Sequence, residues 1–184
     1  MTRTRLLLGA LCLGLTAAAA AHAQPPAPKG RLSAEARLQR LEDIEAIRRV
    51  LTDYGRDLDK RDFKAYSELF ARDGVWDGGF GAGKGPAEIQ AMMEKNIGGT
   101  LITGAQSNFH LLTNFEIEVH GDTASAWSRW TFVSQDPDKR ARIFYAGRYQ
   151  DELVREDGRW KFKRRTVNAD LPGQPPPQGP LSQK

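Results

Sequence analysis

Cysteine occurs once in this 184-residue chain, at Cys12, and histidine three times, at His22, His110 and His120. A single cysteine excludes a disulfide within the chain. A Cys/His zinc cluster takes three or four such ligands, and with Cys12 and His22 both in the N-terminal 23 residues only His110 and His120 remain in the rest of the chain. No metal site is therefore expected. The longest apolar run, residues 6–21, holds 16 residues. That falls short of the roughly 20 that a membrane span needs. Charge of one sign is also scarce, since 27 Lys and Arg face 23 Asp and Glu for a formal net charge of +4.

The apolar run follows Arg3 and Arg5 and ends in Ala21-His22-Ala23. A basic start, a short apolar core and an Ala-x-Ala site form a secretory signal, with cleavage expected after Ala23. Residues 1–23 are accordingly read as a signal peptide, and the protein as periplasmic or secreted without a stable membrane anchor. Removal of Arg3 and Arg5 would leave a net charge of +2 and no cysteine. Residues 24–31 (QPPAPKGR) form a proline-rich linker, and residues 171–184 a proline-rich, disordered tail. One folded domain is expected over residues 32–170.

Within that domain, Leu38, Leu41, Ile44, Ile47, Leu51, Tyr54 and Leu58 recur every three or four residues. This is the apolar stripe of a long amphipathic helix that Ser33 can cap. Glu42, Asp43, Arg48, Arg49 and Arg56 form its solvated face, and Asp57 and Asp62 read as exposed or capping residues. Asp62 is placed to cap a short helix over 63–70, and Pro86 to open another over 86–95. The glycine-rich segment 78–85 (GGFGAGKG) lacks phosphate-loop spacing, because Lys84 is followed by glycine, and reads as a flexible rim over a cavity. From Asn108 the apolar period becomes two. Strands are expected over 109–119, 123–134, 142–155 and 160–167, joined by turns at Gly121-Asp122, Asp136-Pro137-Asp138 and Asp157-Gly158. Helices followed by hairpin-linked strands give an α+β domain with helices on one face of an antiparallel sheet.

Lys161, Lys163, Arg164 and Arg165 alternate with aromatics in a way that superficially suits nucleic acid. The small net charge of an exported chain argues against that partner. His120 lies in a turn and is expected to be exposed. Asp59 ends the apolar stripe and can turn inward. His110 opens the first strong strand, with Asn114 four residues on along the same nominal face.

These residues fall in a familiar order. Leu41-Glu42-Asp43-Ile44, Tyr54 followed by Leu58-Asp59, Asp62-Phe63, Asp73-Gly74-Val75-Trp76, His110 with Thr113-Asn114, Gly147 with Tyr149 and Asp151-Glu152, and Asp157-Gly158 with Trp160-Lys161 succeed one another. Together they resemble the SnoaL-like family of the nuclear transport factor 2-like superfamily, over residues 38–167. That branch includes scytalone dehydratase, bile-acid 7α-dehydratase and hexachlorocyclohexane dehydrochlorinase. The resemblance implies a cone-shaped fold in which a curved antiparallel sheet wraps around N-terminal helices and leaves one deep pocket. It implies a cofactor-independent lyase, a dehydratase-like eliminator acting on a cyclic or aromatic small molecule through an Asp–His dyad. Asp59 and His110 match the dyad, Tyr54 an active-site tyrosine and Arg165 a pocket arginine. Strict alternation puts Arg165 on the face opposite Trp160 and Phe162, so a bulge is needed to turn it inward. Trp76, Phe80, Asn114, Trp127, Trp130 and Tyr145 are the expected substrate-binding residues. An isomerase or carbon–carbon lyase with the same dyad, and a non-catalytic binding or assembly domain, are the alternatives. A homodimer or homotrimer is expected, because the fold commonly leaves one sheet face exposed.

Overall fold

A computed structural model describes residues 32–98, 108–136 and 138–172. The chain divides into two units, Met1–Ser33 and Ala34–Lys184, and the helices and strands named below all belong to the second. The expected signal peptide and linker lie outside the described residues, as do residues 173–184 of the expected tail.

The 3–4 apolar spacing produces helix α1, Ala34–Lys60. Its stripe is buried at Ile47, Leu51, Tyr54 and Leu58, whereas Leu38 and Leu41 are exposed. Helix α2, Phe63–Glu68, opens on Asp62, whose side chain accepts a hydrogen bond from the Ala65 amide at 3.0 Å. Strand β1, Phe70–Gly78, turns back into β2, Gly81–Lys84. The glycine-rich segment is thus largely a hairpin rather than a loop. Helix α3, Gly85–Met93, carries proline in its first turn and ends in a π-helical turn, Glu94–Gly98. Four long strands follow: β3, Asn108–His120; β4, Thr123–Gln135; β5, Ala141–Glu156; and β6, Arg159–Pro172. Strand β6 therefore runs two residues into the segment read as tail.

The six strands form one curved, unclosed sheet in the order β2-β1-β6-β5-β4-β3. The four C-terminal strands pair antiparallel, while β1 runs parallel to β6. That pairing joins the helical half of the chain to its last strand, and hairpin logic alone does not foresee it. Register shifts interrupt β3 near Asn114, β5 at Phe144 and β6 at Lys163 and Asp170. Extra residues of this kind bend and twist a sheet. Gly147 permits a close approach, since a Cβ there would lie 1.9 Å from the Asn168 carbonyl and 2.9 Å from the Trp130 ring.

The core is mainly aromatic. Tyr54 contacts Tyr66, Tyr149, Phe162 and Phe70 at centroid separations of 4.6–6.5 Å. Two residues read as solvated are buried instead. Asp57 is 5% exposed and receives Arg56 Nε at 2.8 Å. Asp43 is 6% exposed and accepts from Arg155 Nη2 at 2.6 Å and Trp160 Nε1 at 3.1 Å. The Arg155 guanidinium also covers the Trp160 ring at 4.5 Å. This network ties α1 to β5 and β6, so a helix position that looked polar is a fastening point for the sheet.

Burial alone would raise the Asp43 carboxyl, but the hydrogen bonds from Arg155, Trp160 and Gln39 outweigh it and hold the group below its ordinary value. Such a group stabilises the fold above its unfolded-state pKa and loses that contribution as pH falls through its folded value. Asp43→Asn is expected to cost about 1–2 kcal/mol near neutral pH. The gap from wild type, followed by urea unfolding, should narrow as pH falls below about 4. A gap unchanged down to acid pH would show that the charge of Asp43 is not involved.

Candidate active site

Helical spacing sets two adjacent columns on α1. Tyr54 and Leu58 form one, and Gly55 and Asp59 the next. A Cβ on Gly55 would fall 2.6 Å from Leu112 Cδ1 and 3.7 Å from His110 Cβ. The missing side chain lets β3 press against the helix, and Asp59, one turn further on, meets His110 there. Asp59 Oδ1 lies 2.7 Å from His110 Nδ1, and Asp59 Oδ2 accepts from the His110 amide at 2.8 Å. Asn108 Nδ2 adds a third bond, to Oδ1, at 3.1 Å. The His110 and Asp59 side chains are 12% and 16% exposed.

A carboxylate only accepts hydrogen bonds, so a neutral His110 paired with ionised Asp59 carries its proton on Nδ1. Nε2 is then left with a free lone pair. The ring is backed by Phe132, its partner across the β3–β4 ladder, at 4.8 Å and by Trp130 at 6.2 Å.

His110 lines a cavity of about 680 Å³. Tyr54, Trp76, Trp130 and Tyr149 line it as well, with Phe80 and Tyr145 as half-exposed wall residues. Phe80, on the hairpin rim, stacks on Trp76 at 5.8 Å. The Tyr54 hydroxyl accepts from Trp76 Nε1 at 2.9 Å, which leaves its own proton free to be donated. Burial pushes the Tyr54 phenol above its ordinary value against the opposing pull of Arg165, and burial pushes Tyr66 and Tyr149 up further. All three stay protonated at neutral pH. Trp130 Nε1 is buried and meets no acceptor among the described residues.

Arg165 differs from expectation. The extra residue at Lys163 turns its side chain inward, to the face of Phe162. The guanidinium does not line the cavity, however. It is fully buried, doubly bonded to Asp151 (Nε–Oδ1 and Nη2–Oδ2, both 2.7 Å), and covered by the rings of Tyr54, Tyr149 and Phe162 at 4.0–4.1 Å. Burial works against its charge, but the Asp151 carboxylate more than reverses this and raises its pKa. Arg165 supports the tyrosines from beneath rather than facing a substrate.

Two expected binding residues also lie elsewhere. Asn114 adopts a left-handed conformation (φ +54°) at the β3 bulge and is exposed, because the bulge breaks the alternation that had placed it with His110. Trp127 is on the opposite face of β4 from Trp130 and packs under the Arg129 guanidinium at 5.2 Å. Conversely, Asn108, Tyr149 and Phe132 were missed. Asn108 stands two residues from His110, so strand alternation could have placed both on one face. Phe132 becomes visible only once the β3–β4 register is known.

Among the described residues no group of three or more His, Cys, Asp or Glu side chains is gathered as a metal ion would need.

The model of the SnoaL-like domain matches residues 39–166 of the chain. No curated protein matches the sequence. Solved structures do. A nuclear transport factor 2-like protein with a cystatin-like fold from Novosphingobium aromaticivorans is 28% identical, with a TM-score of 0.66 over 74% of this chain and 87% of its own. A scytalone dehydratase-like protein from the same organism is 25% identical, with a TM-score of 0.61 over 73% of this chain and 89% of its own. Hexachlorocyclohexane dehydrochlorinase LinA-type3 from Novosphingobium barchaimii is 23% identical, with a TM-score of 0.61 over 73% of this chain and 91% of its own, a likeness of fold. With a cone-like sheet around its helices and a family match across most of its length, this chain belongs to the SnoaL-like family.

Proposed function

We propose that the protein is a cofactor-independent lyase that eliminates water from a cyclic or aromatic small molecule. One observation carries the reading: a histidine whose Nδ1 is held by a carboxylate and whose other nitrogen has no partner among the described residues, on the wall of an aromatic cavity. Relatives of the fold that include a dehydratase-like protein and a dehydrochlorinase support it.

His110 Nε2 takes a proton from a substrate carbon. The electrons of that C–H bond form a C=C bond, and the C–O bond on the neighbouring carbon breaks. The departing oxygen leaves as water with the proton of Tyr54. The imidazolium then returns its proton to the phenolate through solvent, so the enzyme ends as it began. Asp59 stabilises the imidazolium while it exists and keeps the ring from turning. The aromatic wall holds a flat apolar ring and excludes water.

On a substrate found by screening aromatic alcohols and cyclic hydroxy compounds, His110→Ala should lower kcat about 10²–10⁴-fold. Its circular dichroism and melting curve should stay like wild type. Turnover unimpaired in that variant would end the lyase reading.

We also infer that the chain is exported and self-associates. Residues 1–23 support export. An apolar row on the outer sheet face supports association: Phe109, Val133 and Ile143 are consecutive cross-strand neighbours, with Leu111 beside them. Phe109, Leu111 and Ile143 are each more than half exposed in the single chain. Ile143→Glu should convert the dimer or trimer to monomer in sedimentation analysis. A wild type that sediments as a monomer would refute the association.

A further inference from the structure

Arg61 follows the last residue of α1 with φ +61°, a left-handed conformation that glycine and asparagine adopt readily and an arginine rarely does. Its amide bonds the Leu58 carbonyl at 3.1 Å, and its Nη1 bonds the same carbonyl at 2.9 Å. Those contacts close the helix, but a glycine would end it without strain and a lysine could supply the charge. The side chain also does something that closure does not need: it lines the same cavity as His110 and Tyr54.

The charges around it are otherwise spent. Asp59 holds His110, Asp57 holds Arg56 and Asp62 caps α2. Asp170, an acid on the cavity wall itself, is paired with Arg148 and faces Arg129 at 3.9 Å. Arg165 is neutralised by Asp151 below the floor. Among the described residues Arg61 has no acidic partner. It is the one cavity-lining cation left uncompensated among them, and four of its five N–H groups remain to be used.

We propose that Arg61 is an anion-recognition residue and that the ligand of this cavity is an aromatic or cyclic acid, its carboxylate or sulfonate held by Arg61 while its ring lies among the aromatic side chains. The proposal rests on the reading of this cavity as the substrate site and adds the substrate's charge to it. A guanidinium fork matches the geometry of a carboxylate or sulfonate better than an ammonium does.

Two fluorescent probes share one ring system and differ in charge: 1-anilinonaphthalene-8-sulfonate and the neutral N-phenyl-1-naphthylamine. The purified protein should bind both, the sulfonate more tightly, and each should displace the other. Arg61→Gly suits the left-handed backbone and should remain folded by circular dichroism. It should weaken sulfonate binding about tenfold, the equivalent of roughly 1.4 kcal/mol, and change neutral binding less than twofold. Arg61→Lys should fall between wild type and Arg61→Gly. Equal affinity of Arg61→Gly and wild type for the sulfonate, equal losses for both probes, sulfonate that the neutral probe does not displace, or no sulfonate binding would each overturn the proposal. The assay involves no turnover. Arg61-dependent binding in a protein that eliminates nothing would remove the lyase reading and leave this one standing.

Discussion

The site depends on a single carboxylate. Asp59 stands at the end of the first helix and receives three hydrogen bonds from the start of β3: one from an imidazole, one from a backbone amide and one from an Asn108 amide. These bonds fasten helix to strand and fix the orientation of the one histidine that lines the cavity among the described residues. The same group therefore joins helix to strand and sets the orientation of the histidine. Gly55 sits beside this junction, where a Cβ would press on the Leu112 side chain of β3 at 2.6 Å. The geometry also explains why the aspartate and histidine can lie 51 residues apart in sequence and still meet at 2.7 Å.

Beneath the cavity a second constraint operates. Arg165 and Asp151 form an ion pair that is fully withdrawn from water. Such pairs contribute little net stability, because the loss of hydration offsets the attraction, yet removing one partner costs about 3–5 kcal/mol. What this pair does supply is a flat cation that three aromatic rings can cover, two of them the tyrosines that rise into the cavity. Together with Trp76 on the Tyr54 hydroxyl, it leaves that phenol little freedom to turn. The floor is thus rigid and polar at its base and apolar at its surface, while the rim is a short hairpin carrying Phe80.

Much of this was legible in the sequence, and the exceptions have physical causes. The change of apolar period from about 3.6 to 2 after Asn108 placed the helices and the four long strands, and the end of the helical stripe marked Asp59. Where alternation is unbroken, as from Ala124 to Ser134, it separates Trp130, which faces inward, from Trp127, which had been expected beside it. It failed at bulges. One extra residue in β3 carried Asn114 out to solvent, and one in β6 brought Arg165 in. Charge alone also misled at Asp43 and Asp57, whose partners are a distant arginine and tryptophan in one case and the adjacent arginine in the other. The burial of Asp43 cannot be deduced from helical spacing, because it depends on which strands cover the helix. The parallel pairing of β1 with β6 is non-local in the same way.

The central claim is that Asp59 fixes the His110 proton on Nδ1 and leaves Nε2 free toward the cavity. Long-range 15N–1H correlation spectra of labelled protein, at a pH where the ring is neutral, read this directly. The account predicts one tautomer for His110, protonated at Nδ1, beside a tautomer mixture for the exposed His120. A His110 ring protonated at Nε2, or averaging between the two forms like a free imidazole, would contradict it.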